Sequence, residues 1–201
     1  WHVTGVIWNS QRLLDIEAGD TTTKSYGVAV DVGTSKVAVQ LVNLNTGRTV
    51  ATKGSENPQL AFGEDVVDRI RACNEPGMLQ TLRQLVVAEI DKLLKEILEE
   101  TRVAPVNVYE MVVVGNTVMN HIFLGVPPRY VAFSPFTPVI TTPLDIEASA
   151  TGVGMHPHGM VHLPPNIAGF VGADGLADLV ASGMLESKKL TLLLDIGTNT
   201  E

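Results

Sequence analysis

The sequence carries a single cysteine, Cys73, among 201 residues. That scarcity excludes a disulfide framework and any all-cysteine zinc or iron–sulfur site built by this chain alone. There is no apolar run approaching the ~20 residues of a membrane-spanning helix, and no signal-peptide pattern at the start. Basic residues are in the minority, 14 Lys and Arg against 22 Asp and Glu, for a formal charge of −8. Nucleic-acid backbones and anionic membranes reward clustered Lys and Arg, so neither is expected as a partner. A reduced, cytoplasmic, soluble protein is the expectation. With 45% hydrophobic residues it can bury a sizeable core, as one large domain or two small ones. Both ends read as cut, because the chain opens at Trp1 without a methionine and closes at Glu201, just after a fresh apolar run.

Residues 1–25 read as one or two short strands between Val3 and Glu17, ending in a polar linker, and belong to an upstream domain. Tyr26 to Asp31 and Lys36 to Asn43 are β-rich runs separated by Val32 to Ser35, which predicts a hairpin with Gly33 at its tight point. Asn45-Thr46-Gly47 is a second turn signal, with a third strand from Arg48 to Ser55. A loop over Asn57 to Gly63 and a short helix from Glu64 to Ala72 follow. From Leu79 to Thr101, Leu79, Leu82, Val86, Ile90, Leu93 and Ile97 recur at steps of three and four, which predicts an amphipathic helix. Tyr109 to Val114 is an apolar run interrupted only by Glu110, the pattern of a buried parallel strand. A helix over Thr117 to Leu124, an irregular stretch from Phe133 to Thr151, a short strand at Met160 to Leu163 and a helix over Ala168 to Met184 complete a lobe ending near residue 188. Leu190 to Asp195 reads as the first strand of a second lobe that takes in residues 189–201. Three antiparallel strands followed by alternating helices and strands imply an α/β fold with a mixed sheet, in the order of the ribonuclease-H-like fold.

One pattern carries chemistry. Asp31-Val32-Gly33-Thr34-Ser35-Lys36 returns as Asp195-Ile196-Gly197-Thr198-Asn199-Thr200, and from position 31 to position 195 the separation is 164 residues. In each copy an acidic residue ends an apolar strand, Gly follows two residues later, and hydroxyl or amide side chains come next. Glycine lets successive N–H groups converge on an anion, and Thr or Ser adds donors. The strand-end carboxylates, Asp31 and Asp195, would repel a phosphate and are better suited to hold Mg²⁺, directly or through water. One such turn is an ordinary hairpin turn; two, a domain's length apart, imply two similar lobes with a nucleotide between facing turns.

The paired turns resemble the two phosphate loops of the acetate kinase, sugar kinase, heat-shock chaperone and actin superfamily. Ala181-Ser182-Gly183 ahead of the second turn resembles the actin pattern, and counting back seven residues from Ala181 reaches Asp174, where actin has the glutamine that positions the attacking water. The resemblance therefore implies Asp174 as base or water-orienting group; a helix-capping Asp is the bland alternative. More closely, the run from Tyr26 to Ser35, the strings Asn57-Pro58-Gln59, Phe62-Gly63-Glu64-Asp65, Val114-Gly115-Asn116-Thr117 and Pro135-Phe136-Thr137-Pro138, and the run from Pro165 to Asp174 resemble the reductive activators of corrinoid proteins. That family implies a middle domain followed by an actin-like ATPase, and this chain would hold the end of the middle domain, residues 1–25, and the first ATPase lobe. It implies a [2Fe–2S] domain outside this chain, and ATP with Mg²⁺ as cofactors. Its reaction would be ATP hydrolysis driving electrons to the Co(II) corrinoid of a partner protein. A homodimer is compatible with it, and the isolated stretch is not expected to turn ATP over. The implied nucleotide ligands are Asp31, Gly33, Thr34, Ser35, Lys36, Asn116, Asp195, Gly197, Thr198 and Asn199, with Asp31 and Asp195 on the metal.

Several residues have plainer readings. Asn116 ends a buried strand and could reach a phosphate, but it is also a preferred N-cap before Thr117, the reading we favour. His156, His158 and His162 lie in a Pro/Gly-rich stretch without a nearby acid or cysteine, so solvated loop histidines are expected. Cys73 is expected to pack, and Lys36 either offsets phosphate charge or is an exposed strand-start lysine. Two rivals share the motif: a small-molecule kinase, whose substrate-binding insertion could only be Phe133 to Gly159, and a nucleotide-binding scaffold without turnover.

Overall fold

The computed structural model describes residues 2–197. Eight strands and four helices are assigned among them: β1 Val3–Trp8, β2 Arg12–Ala18, β3 Tyr26–Val32, β4 Lys36–Asn43, β5 Arg48–Glu56, α1 Val66–Cys73, α2 Met78–Thr101, β6 Val108–Gly115, α3 Thr117–Leu124, β7 Leu144–Glu147, β8 Met160–Leu163 and α4 Ala173–Ala181. β1 and β2 form a separate two-stranded antiparallel sheet. The other six form one mixed sheet in the order β5-β4-β3-β6-β8-β7. β3, β4 and β5 are antiparallel neighbours, whereas β6 runs parallel to β3 and β8 parallel to β6. This is the ribonuclease-H-like arrangement of actin-like ATPase lobes, as the element order predicts.

The period-2 alternation of β3 and β4 gives the sheet two unlike faces. Val28, Val30, Val32, Val37, Val39 and Leu41 point to one side, together with Met111 and Val113 of β6. There they meet Leu82, Val86, Ile90, Leu94 and Ile97 of α2 and Val118, Met119 and Ile122 of α3, all buried. Each such side chain contributes about 1.5–3 kcal/mol relative to exposure. Residues from the other face pair across three strands in two rows. Gln40, Ala29 and Val112 make one, and Ala38, Asp31 and Val114 the other. Small side chains there leave room above the sheet, and α4 packs on the β6 side of that room.

Three expectations change. β7 arises inside the stretch expected to be irregular, pairing antiparallel with β8 at the sheet edge. Its four residues are too few for a readable period. The last helix begins at Ala173 and not near Ala168, because the preceding backbone is engaged elsewhere. The Ile167 and Ala168 amides donate to Val171 O, and Thr117 Oγ1 donates to the carbonyls of Ala168 and Val171. The run Leu190 to Asp195 forms no strand, and Leu190, Leu192 and Leu194 are exposed. A strand needs a neighbour's ladder groups, and no described segment offers them to this run.

Candidate functional site

The turn between β3 and β4 is held from behind by the residues that follow β5. Asn57 Nδ2 donates to Gly33 O at 2.8 Å, and the Asn57 amide donates to Ser35 O at 2.9 Å. Asn57 Oδ1 in turn accepts from the Gln59 amide. Asn57 and Gln59 are fully buried, so Asn57-Pro58-Gln59 buttresses the turn and does not face the cleft. A Cβ on Gly33 would lie 2.8 Å from Lys36 O, so only glycine lets the chain reverse this tightly.

Behind β6, Asn116 does two jobs. Its Oδ1 caps α3 by accepting from the Met119 amide, and its Nδ2 donates to Thr34 Oγ1, both at 3.0 Å. The N-cap reading is right and incomplete, since the same side chain joins the end of β6 to the turn after β3. Asn120 Nδ2 donates to Gly115 O and to Asn166 Oδ1, tying α3 to the Asn166 segment that leads into α4. Gly172 then rests on bare backbone. A Cβ there would lie 2.5 Å from Asn116 Cα and closer still to Gly115 O.

These contacts bring Gly33, Thr34, Ser35 and Lys36, Asn116, Asp174 of α4, and Asp195 and Gly197 to one cleft of about 970 Å³, floored by the two cross-strand rows. Thr198 and Asn199 lie outside the described residues. Asp178, one turn after Asp174 on the same helix face, also lines the cleft. The i,i+4 spacing was the available signal for it. No residue from the stretch 133–159 lines this cleft. Part of that stretch, Phe133 to Val139, borders a separate, smaller hollow with Tyr130.

Electrostatically the cleft is strongly acidic: among the described residues Asp31, Asp174, Asp178 and Asp195 face Lys36 as the one cation. Water reaches Asp31 through the cleft mouth, yet the surrounding protein leaves its carboxylate poorly hydrated. Burial first, then the charges of Asp174, Asp178 and Asp195, push its carboxyl up to about 6. The Asp174 carboxyl is raised by burial and, more weakly, by Asp195 and Asp178, against the lowering effect of the Gly175 amide that Oδ1 accepts at 2.9 Å. Asp178 is raised by burial and by Asp195. Such a set of oxygen donors fits a hard divalent cation. Among the described residues no three of these carboxylates bring their oxygens within 4.8 Å of one another, a spacing that fits a hydrated ion better than a stripped one.

The histidines differ from expectation. His156 is buried, and its Nδ1 accepts from the His158 amide, which leaves Nε2–H to donate to Asp15 Oδ2 at 3.0 Å. His162 Nδ1 bonds Asp145 Oδ1 at 2.6 Å across β8 and β7, and His158 is exposed. Folding, not sequence proximity, supplies the acids. Asp15, Glu17 and His156 stand close enough to share a metal. The His158 amide, however, directs the imidazole proton to Nε2, and Tyr109 Oη donates to Glu17 at 2.6 Å, so the group is satisfied without one. Cys73 closes α1 half-buried, and burial pushes its thiol up to about 11, as suits a packing residue.

A solved structure described as a reductive activator for corrinoid, iron–sulfur protein matches with a TM-score of 0.90 and 37% identity, over 94% of this chain and 30% of that one. The corrinoid activation enzyme RamQ of Eubacterium limosum is 30% identical over 198 residues, which are 98% of this chain and 33% of its own length. The chain thus spans about a third of the length of these relatives. The family described as the RACo middle region matches residues 26–187, over the six-stranded sheet and most of the cleft, and the chain belongs to that family.

Proposed function

We propose that this chain supplies one nucleotide-gripping lobe of an ATPase that drives the reductive activation of a corrinoid protein. Residues 26–188 would be the first lobe, 189–201 the start of the second, and 1–25 the end of an upstream domain. The observation that carries the reading is the convergence of the Asp31–Lys36 turn, Asp174 and Asp195–Gly197 on one cleft. The two relatives, a corrinoid activation enzyme and a reductive activator for corrinoid, iron–sulfur protein, support a corrinoid protein as the partner. Electrons would come from an iron–sulfur domain outside this stretch, in the cytoplasm.

In this reading the turn amides of residues 33–36 and the Lys36 ammonium take up phosphate charge. Asp31 and Asp195 would hold Mg²⁺, which would offset the phosphate's negative charge. Asp174, its basicity raised by burial, orients the attacking water and accepts its proton. Preorganised charge is the main catalytic term, and closure of the lobes carries the effect to the partner. The small-molecule kinase reading loses its substrate insertion, because residues 133–159 do not line the cleft.

The test is Asp174→Asn in the full chain. We expect ATP to bind with nearly unchanged affinity while hydrolysis falls roughly 100-fold or more, the usual scale for a positioned acid–base group. Undiminished hydrolysis would remove Asp174 from the chemistry, and a wild-type protein that binds ATP without consuming it would make the chain a scaffold.

A further inference from the structure

Arg69 is among the largest side chains in the protein to be fully buried. It stands on α1, behind the β3–β4 turn, and none of its hydrogen bonds goes to a carboxylate. Nε donates to Gly63 O at 3.1 Å and Nη1 to Gln59 Oε1 at 3.0 Å, with Met119 Sδ close to Nη1. Nη2 donates to Thr34 O. Buried arginines are ordinarily paired, because an isolated buried charge costs several kcal/mol in lost hydration. Here the charge is satisfied by neutral acceptors only. Burial lowers its pKa to about 10, so it remains a cation near neutral pH.

The direction of these bonds gives the arrangement a purpose. In a trans peptide the C=O and the following N–H point opposite ways. Three consecutive carbonyls, of Gly33, Thr34 and Ser35, are held from the protein interior by Asn57 Nδ2, Arg69 Nη2 and the Asn57 amide. The amide ends of the same peptide planes are thereby directed away from the interior, on the side where the turn lines the cleft. That cleft otherwise presents four carboxylates against Lys36, an unfavourable field for a polyanion.

We infer that Arg69 is a positioning residue for phosphate: it fixes the peptide planes of the Gly33–Ser35 turn and places directly behind them a permanent positive charge to which no carboxylate is hydrogen-bonded. This rests on the nucleotide reading above and adds a named determinant of polyphosphate affinity that never touches the ligand. Its effect scales with ligand charge, so it favours a triphosphate over a nucleoside alone.

The experiment compares Mg·ATP and adenosine binding by the full chain, as wild type, Arg69→Met and Gln59→Glu. Gln59→Glu keeps Arg69 and its Nη1 bond but sets a carboxylate against the guanidinium, and it gives up the bond that Gln59 Nε2 donates to Leu82 O, a loss that adenosine binding and the melting temperature report separately. Loss of a charged hydrogen-bonding group of this kind is expected to weaken ATP binding roughly 10- to 100-fold, with adenosine affinity unchanged. Should Arg69→Met not fold, Gln59→Glu carries the test, with about a tenfold loss expected for ATP alone. Unchanged ATP affinity in a folded variant overturns the inference, and so does an equal loss for adenosine, which marks a structural role only. Failure of the wild-type chain to bind ATP overturns the nucleotide reading itself, and this inference falls with it.

Discussion

Asn116 Nδ2 donates to Thr34 Oγ1 at 3.0 Å, joining the end of β6 to the turn that follows its parallel neighbour β3. The same side chain caps α3 through its other amide atom. Helix, strand end and turn therefore share one residue, and the cleft wall is braced before any ligand arrives.

Substitution can separate these roles. Asn116→Ser keeps a cap acceptor but is too short to reach Thr34, so one hydrogen bond is lost, worth about 0.5–1.5 kcal/mol. Asn116→Ala also loses the cap, a further ~1 kcal/mol. We expect the two to differ in denaturant midpoint by the cap alone and to show the same weakening of ATP binding. Equal stabilities would deny the cap its share.

Gly172→Ala places a methyl group into the backbone of Asn116 and Gly115. No rotamer relieves that overlap, so α4 has to move away from β6, carrying Asp174 and Asp178 with it. We expect a destabilisation of about 1–3 kcal/mol and a loss of turnover larger than the loss of ATP binding. An alanine variant with wild-type melting temperature and turnover would contradict the close approach.

The carboxyl of Asp31, raised to about 6 from 3.8, sets a pH dependence of known sign. Between those values the folded protein binds more protons than the unfolded chain. The stability associated with Asp31 is therefore fully present below 3.8 and lost as pH rises through about 6. Asp31→Asn removes that loss. Without divalent cation it should melt higher than wild type near about pH 8 and lose the advantage near about pH 4, by about 1 kcal/mol or less, since cleft water screens the charge. It should also weaken Mg²⁺-dependent ATP binding. Identical melting curves at the two pH values would show that Asp31 is well hydrated.

Much of the lobe is legible in the sequence, for identifiable reasons. β6 announces itself because a central strand is apolar at nearly every position, Glu110 excepted, and α2 because six apolar residues keep helical period over about five turns. The Asp31 turn is visible because a glycine follows a strand-end acid; its repeat at Asp195 has no strand before it, and Thr198 and Asn199 lie outside the described residues. β7 is not legible, since four residues in a proline-rich stretch become a strand only through the edge that β8 offers. The start of α4 is hidden for a related reason: the carbonyls of Ala168 and Val171 are captured by Thr117, fifty residues earlier in order of magnitude. Arg69 carries no signal at all, because an arginine on a short amphipathic helix ordinarily faces solvent, and only the assembled turn explains its burial.

The β1–β2 hairpin is fastened by polar contacts to the end of the sheet where β6 starts and the edge strand β7 finishes. Arg12 pairs with Glu147, Glu17 receives the Tyr109 hydroxyl, and Asp15 holds His156. Thr34, Asn116 and the cleft occupy the opposite end, where β3 and β6 finish. Between them β6 is a strut of eight residues, about 25 Å, clamped on both flanks by hydrogen-bonded neighbours. In the proposed reading, a load applied at the hairpin would be delivered lengthwise to the Gly33–Lys36 turn, and a displacement at that turn would return along the same line.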